Sequence, residues 1–148
     1  MISMEELSTI RELDQWMKAN CYNDSYAIGG RIIHEGYGLE SWGDTFVWFY
    51  TERGSKQSLH VFNTEKEAVQ FALREIKLDT SANRHLVGFL KSKFSESELI
   101  RELERRNIKY WTDKIPFGGP NDPRHRVFVF GCDIKSVKDL TAQYGVIE

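Results

Sequence analysis

The sequence predicts a single α+β domain over residues 1–148, with a mainly antiparallel sheet and helices packed largely on one face. Segments with apolar residues at helical spacing alternate with short segments rich in aromatic and β-branched residues. Their order is α-β-β-β-α and then β-α-β-β-α. No segment rich in proline or serine separates the two halves, because residues 79–83 form only a short connection. The 148 residues, 41% of them hydrophobic, suffice for a core that needs no metal or disulfide.

Four helices are predicted, and three of them begin at a capping box, in which a hydroxyl residue is followed three positions later by glutamate. These boxes start at Ser3, Thr64 and Ser95. The fourth helix is expected to open at Asp133 and to end at Gly145. Apolar stripes follow these starts, and we expect them to face the core. The stripes are Leu7, Ile10, Leu13 and Met17; Ala68, Phe71, Ala72 and Ile76; Leu99, Ile100 and Leu103; and Ile134, Val137, Leu140 and Tyr144.

The strands are predicted between these helices. The segment SYAIGGRIIHEGYGLE, residues 25–40, is expected to form one bent strand or a hairpin, because four glycines interrupt it. TFVWFYTE at 45–52 and QSLHVF at 57–62 are expected to form a hairpin around the short loop 53–56. Three more strands are expected in the second half, with the sequences HLVGFL, IKYWTD and RVFVFG.

The strand predicted at 45–52 is apolar on both faces. Phe46, Trp48 and Tyr50 alternate with Val47 and Phe49, whereas a strand at the surface of a sheet usually has one polar face. Helices packed on one side of the sheet would leave aromatic residues partly open on the other side, as in association surfaces. In the alternative interpretation, the first helix folds across these aromatic residues and they belong to the core.

Acidic residues around this strand complete a candidate partner-binding surface. We place in it the aromatic residues Trp42, Trp48 and Tyr50 and the acidic residues Glu40, Asp44 and Glu52. Residues 1–52 contain nine acidic and three basic residues, a net charge of −6, whereas residues 53–148 carry +4. Such an asymmetry steers a partner of opposite charge. The alternative is that solvated charges merely happen to be segregated.

The sequence contains no arrangement typical of a catalytic or metal site. Its four histidines are scattered, and the spacings H-x-x-x-H, C-x-x-C and D-x-D are absent. Paired glycines at 29–30 and 118–119 lack the lysine and hydroxyl of a phosphate-binding loop. Only its position before a helix favours Cys132 as a nucleophile, and a small buried residue is the simpler interpretation. We therefore expect a protein that is not an enzyme and uses no cofactor and no metal.

The expected location of the protein is the cytoplasm. The start MISMEELSTIREL lacks the basic residues and apolar stretch of a signal peptide, and no apolar run approaches the roughly 18 residues that cross a membrane. Cys21 and Cys132 lie far apart in the sequence. Without a secretory signal, we expect both to be reduced thiols.

A second candidate function rests on residues 109–126, KYWTDKIPFGGPNDPRHR. This segment combines the basic residues Lys109, Lys114, Arg124, His125 and Arg126 with the aromatic residues Tyr110, Trp111 and Phe117. Such a mixture can hold RNA or phosphate groups through charge and stacking, and His125 could act as a general acid or base. An isoelectric point of about 6.1 and the lack of a second nearby histidine favour a long hairpin loop instead. We therefore do not expect direct nucleic-acid binding.

Six short segments carry a resemblance to a known class of proteins. They are AIGG, HEGYGLE, VWFYTERG, FNTEKEAVQFA, DKIPFGGPNDP and RVFVFGCDIK, between about residues 26 and 136. Together they resemble the immunity proteins of bacterial polymorphic toxin systems, and in particular the immunity protein 59 family. The resemblance implies a small cytoplasmic protein that binds the C-terminal effector domain of a cognate toxin and blocks it. It assigns no functional residues, and a nuclease is the leading expectation for the effector.

Overall fold

The helices and strands of the computed structural model follow the predicted order, and the α+β class is confirmed. The structure describes residues 3–146. The α-helices are α1 (Ile10–Ala19), α2 (Glu65–Leu78), α3 (Lys93–Arg105) and α4 (Lys138–Tyr144). The strands are β1 (Glu35–Trp42), β2 (Thr45–Glu52), β3 (Ser55–Phe62), β4 (Arg84–Leu90), β5 (Tyr110–Ile115) and β6 (Arg124–Phe130). Short 3-10 helices cover Met4–Glu6, Thr80–Asn83 and Gly131–Ser136.

The strands form two antiparallel sheets of three strands rather than one continuous sheet. Sheet A has the order β1-β2-β3, and sheet B has the order β4-β6-β5. The chain divides accordingly into two compact units, which meet in sequence between residues 82 and 83. Each unit has its own helices and its own apolar core. Packing against these helices stabilises a sheet of only three strands. The prediction of one domain over residues 1–148 stays a prediction, and its first two and last two residues lie outside the described part.

The N-cap of the first helix lies six residues later than predicted. Thr9 is its N-cap: the Thr9 Oγ1 accepts a hydrogen bond from the Glu12 amide at 3.1 Å, and the Glu12 Oε1 accepts one from the Thr9 amide at 3.0 Å. Ser3 precedes only a single 3-10 turn and its side chain caps nothing. The turn ends because Leu7 adopts an extended conformation and is buried, 2% exposed. The predicted start at Ser3 is therefore wrong, and Thr9–Glu12 is the true capping box.

The other helix starts agree with the prediction to different degrees. The Thr64 Oγ1 accepts from the Glu67 amide at 3.2 Å, which confirms the predicted start of α2. The N-cap of α3 is Ser92, three residues before the predicted cap Ser95, because the Ser92 Oγ accepts from the Ser95 amide at 3.0 Å. Near Asp133 the chain forms a 3-10 helix first, and α4 follows it and ends before Gly145, as predicted.

Sheet A is a meander with tight turns. The turn between β2 and β3 consists of Arg53 and Gly54 alone, both with positive φ (51° and 81°), so β3 starts earlier than predicted. Positive φ at both positions is the geometry that matches the twist of a two-residue hairpin. The segment predicted as a bent strand or hairpin at 25–40 contributes only β1 and a single bridge between Ala27 and Gly38.

Helices cover one face of each sheet. In the first unit α2 packs on sheet A and α1 packs on α2. In the second unit α3 and α4 pack on sheet B. Leu103 is fully buried there, as predicted, whereas Phe71 of α2 is only half-buried. The second core comprises Val87, Leu90, Leu99, Leu103, Val127, Val129, Val137 and Leu140.

Candidate functional site

Both faces of β2 are covered by the first unit itself. On one face Trp48 packs in the core formed with α2. On the other face Val47 and Phe49 form a small apolar cluster with Ala27, and Ile33 packs against it. The double apolar character of this strand is thus explained by a helix on one side and by the segment before β1 on the other.

Trp48 is a core residue, and its assignment as a surface anchor is wrong. Its exposed fraction is 4%. The Tyr37 ring stacks on it at 5.7 Å with an interplanar angle of 9°, and the Phe71 ring meets it edge-on at 5.6 Å. The burial results from α2, which carries Phe71 across the sheet; α2, and not α1, is the helix that covers this face.

Trp42 is the predicted aromatic residue that the structure leaves exposed. Its exposed fraction is 69%, and it lies at the last position of β1, beside the turn that contains the exposed Asp44. Alternation along the strands places Trp42 on the same face as Glu40, whose β2 partner is Val47. Val47 in turn pairs with Val61 of the edge strand β3, and the Val61 residue is 61% exposed. An exposed apolar patch with acidic neighbours therefore marks this end of sheet A.

Tyr50 and Glu52 lie at the opposite end of the same hairpin. Glu52 pairs with Glu35, seven residues from Trp42 along β1, which corresponds to about 23 Å. The Tyr50 hydroxyl donates a hydrogen bond to the Glu35 Oε1 at 2.8 Å, and this bond raises the pKa of Tyr50 to about 12. The six predicted residues therefore do not form one patch. Glu40, Trp42 and Asp44 remain together, whereas Tyr50 and Glu52 are separate.

Sequence reasoning missed a cleft of about 830 Å³ between residues 30–35 and the second face of sheet A. Its floor includes Phe49, and the Lys56 Nζ lies 4.6 Å from the centre of that ring. The same Nζ donates to the Glu40 Oε2 at 2.8 Å, so the charge of Glu40 is partly neutralised. Charged residues of both signs line the cleft, among them Arg31, Glu35, Glu52 and Arg53. This mixture favours no particular class of ligand.

The residues before β1 are held by glycine and by an ion pair. A Cβ at Gly29 would lie 2.8 Å from the Cγ of Asp14, and φ is +71°, so a larger residue does not fit there. The Arg31 Nη1 donates to the Tyr26 carbonyl oxygen at 3.0 Å, and its Nη2 lies 3.5 Å from the Asp14 Oδ1. The paired glycines Gly29 and Gly30 are the sequence signal that could have drawn attention to this segment. They do not reveal that Gly29 lies close to α1, because that contact depends on residues far away in the chain.

A second concavity, the aromatic pocket, lies at the other face of sheet A and has a volume of about 440 Å³. Its aromatic lining consists of Tyr26, Tyr37, Trp48, His60 and Phe71, and its remaining lining residues are Leu59, Leu78, Glu75 and Asp79. The Tyr26 hydroxyl donates to the Asp79 Oδ2 at 2.7 Å. Burial and this bond raise the pKa of Tyr26. Both carboxyl groups come from the C-terminal part of α2 and the residue that follows it.

The basic residues of 109–126 are largely engaged within the second unit. Arg126 forms a salt bridge with Asp113 on the neighbouring strand, and its guanidinium lowers the pKa of that carboxyl group. Arg124 is buried, 4% exposed, and its Nη1 donates to the Asp122 Oδ1 at 2.7 Å. The His125 Nδ1 lies 3.4 Å from the Glu96 Oε2. Less positive charge is thus available for nucleic acid than the sequence indicated. Half of the segment lies in β5 and at the start of β6, and the residues between these strands form a loop.

Cys21 and Cys132 are disulfide-bonded in the structure, so the expectation of reduced thiols is wrong. The argument for a reducing compartment therefore loses its support from the cysteines. Within residues 3–146 no group of three or more histidine, cysteine, aspartate or glutamate side chains is placed to hold a metal ion. In the same range, every helix is too short or too polar to cross a membrane.

Comparison of the chain with protein-family models, with curated proteins and with solved structures finds no match. The resemblance to immunity proteins therefore stays a prediction, and functional conclusions depend on the residues and their geometry.

Proposed function

We propose that the protein is an immunity protein, which binds the C-terminal effector domain of a cognate bacterial toxin in the cytoplasm and neutralises it. One observation carries the proposal. Trp42 is 69% exposed at the end of β1, with Asp44 and Glu40 beside it. Large aromatic residues are the commonest anchors of protein interfaces, and their exposure in water is unfavourable unless a partner covers them.

The charge of the first unit supports a basic partner. Residues 1–82 contain thirteen acidic and eight basic residues, a net charge of −5, whereas residues 83–148 carry +3. A nuclease must attract phosphate groups, so its substrate groove is basic, and an acidic protein can occupy it. In this mechanism Trp42 supplies the buried contact. Asp44, at the rim, increases the rate of encounter. Blocking the groove neutralises the toxin without any chemical reaction by the inhibitor.

The proposal is tested by binding kinetics with the effector domain encoded beside this gene. Trp42→Ala should increase the dissociation rate roughly 30-fold or more, because a central anchor contributes about 2 kcal/mol or more. Asp44→Asn should mainly slow association and weaken its dependence on salt. Phe94→Ala is the matched control, since Phe94 is 77% exposed in the second unit and should not affect binding.

Two outcomes contradict different parts of the proposal. If the wild-type protein neither binds the effector domain nor inhibits it, the proposed function is wrong. If it binds and Trp42→Ala leaves the dissociation rate unchanged, the function stands and the surface around Trp42 is not the interface.

A further inference from the structure

The aromatic pocket differs from the large cleft in the composition of its walls. Five of its lining residues are aromatic, counting His60, and they contact one another. Trp48 lies between Tyr37, which stacks on it, and Phe71, which meets it edge-on. Phe71 is only half-buried and Tyr37 is 42% exposed, so aromatic surface is open to a ligand. The volume of about 440 Å³ lies within the usual range of ligand pockets.

The charges of this pocket have a single sign. Among the residues that the structure describes, Glu75 and Asp79 are the acidic members of its lining, which contains neither lysine nor arginine. The Asp79 carboxylate accepts hydrogen bonds from the Tyr26 hydroxyl and from the Ser81 amide, which fix its position. Glu75 is exposed at the rim and, within the described residues, forms no hydrogen bond or salt bridge. His60 is the remaining titratable side chain of the wall besides the two tyrosines.

Aromatic faces combined with carboxylates are complementary to a cation. The negative face of an aromatic ring attracts ammonium and guanidinium groups, and arginine in particular also stacks on such faces. A carboxylate at the rim adds a charge-assisted hydrogen bond. A neutral group would lack the attraction to the aromatic faces, and an anion would be repelled by the Glu75 carboxylate.

We infer that the aromatic pocket receives a basic side chain, an arginine or a lysine, from the partner protein. This inference rests on the proposed function for the identity of the partner, but not for the chemistry of the pocket. It reverses the role that the sequence suggested for Trp48. Instead of inserting into the partner, Trp48 forms part of the wall into which a residue of the partner inserts.

The test uses the full protein and a small probe, N-acetyl-arginine amide, followed by NMR. We expect the probe to shift the signals of the Trp48 indole and of the His60 and Glu75 amides. The citrulline analogue has almost the same shape without the charge, and it should bind at least about threefold more weakly. Glu75→Gln should weaken binding of the arginine probe roughly twofold to fivefold.

Glu67→Gln is the matched control variant. Glu67 is also an exposed glutamate of α2, it is absent from the pocket lining, and it lies eight residues, about 12 Å, from Glu75 along the helix. Equal binding of the citrulline probe, equal effects of the two variants, or shifts confined to other surfaces would overturn the inference. Effector binding that persists after such a result leaves the proposed function intact. A pocket that binds arginine in a protein that binds no effector refutes only the function.

Discussion

Replacing Trp48 or Trp42 by alanine should separate core from surface in the first unit. The two tryptophans occur in neighbouring strands of sheet A, but their exposed fractions are 4% and 69%. A fully buried tryptophan removes up to about 250 Å² from water, which corresponds to roughly 6 kcal/mol of transfer free energy as an upper bound. Measured truncations of this kind cost about 3–5 kcal/mol, and we expect that loss for Trp48→Ala.

Trp42→Ala should cost much less stability. With 69% of the residue already exposed, about 80 Å² remain to be lost, which gives at most about 2 kcal/mol. The free energy of unfolding should be measured by urea titration, with far-ultraviolet circular dichroism as the signal, because fluorescence changes when a tryptophan is removed. Trp48→Phe is an informative companion variant. It keeps an aromatic ring against Tyr37 and Phe71 and should lose less stability than Trp48→Ala.

Equal losses for Trp42→Ala and Trp48→Ala would refute this reasoning. A loss below about 1 kcal/mol for Trp48→Ala would likewise show that the ring is not held between α2 and sheet A. That result would instead support the interpretation of Trp48, made from the sequence, as an anchor on the partner-binding surface.

Two further predictions concern a close contact and an ion pair. Gly38→Ala should destabilise the protein by about 1–3 kcal/mol in the same urea titration. The new Cβ would lie 2.5 Å from the Phe49 Cζ and 2.7 Å from the Ala27 carbonyl oxygen, which is too close for either contact. An unchanged midpoint of unfolding would contradict this prediction. Hydrogen bonds from Arg105 and Arg106 lower the pKa of Glu102 from 4.5 to about 2. The folded state therefore binds fewer protons between these values, and stability falls as the pH drops from about 4.5 to about 2. In thermal unfolding measured across this range, Glu102→Gln should flatten the dependence and Glu67→Gln should not.

The sequence predicted elements well where local chemistry decides them. The bounds of β2 agree with the prediction, because a run of aromatic and β-branched residues ends at the turn formed by Arg53 and Gly54. The start of α1 was missed because the sequence offers two candidate boxes within ten residues, at Ser3 and at Thr9. Burial of Leu7 between them decides in favour of Thr9, and this tertiary contact has no local signature.

The candidate site could be predicted only in part. Alternation correctly indicates that Trp48 and Tyr50 share a face, but it does not indicate what covers that face. The covering residue, Phe71, lies more than twenty positions away, and its stripe predicted a core position without naming the contact. The aromatic pocket also needs Tyr26 and Asp79, which come together only through a hydrogen bond across 53 positions. Trp42 is exposed beside a local turn, and its role in binding a partner stays a prediction.

The different strand orders of the two sheets have a consequence for synthesis of the chain. Every strand pair of sheet A joins neighbours in sequence, and its pairing is complete at Phe62. In sheet B, β4 must wait for β6, since Arg84 pairs with Phe130, 46 positions later. Closing the longer loop is slower. A ribosome therefore releases every residue that sheet A and α2 require well before sheet B can pair, and the surface with Trp42 can take shape while the chain is still growing.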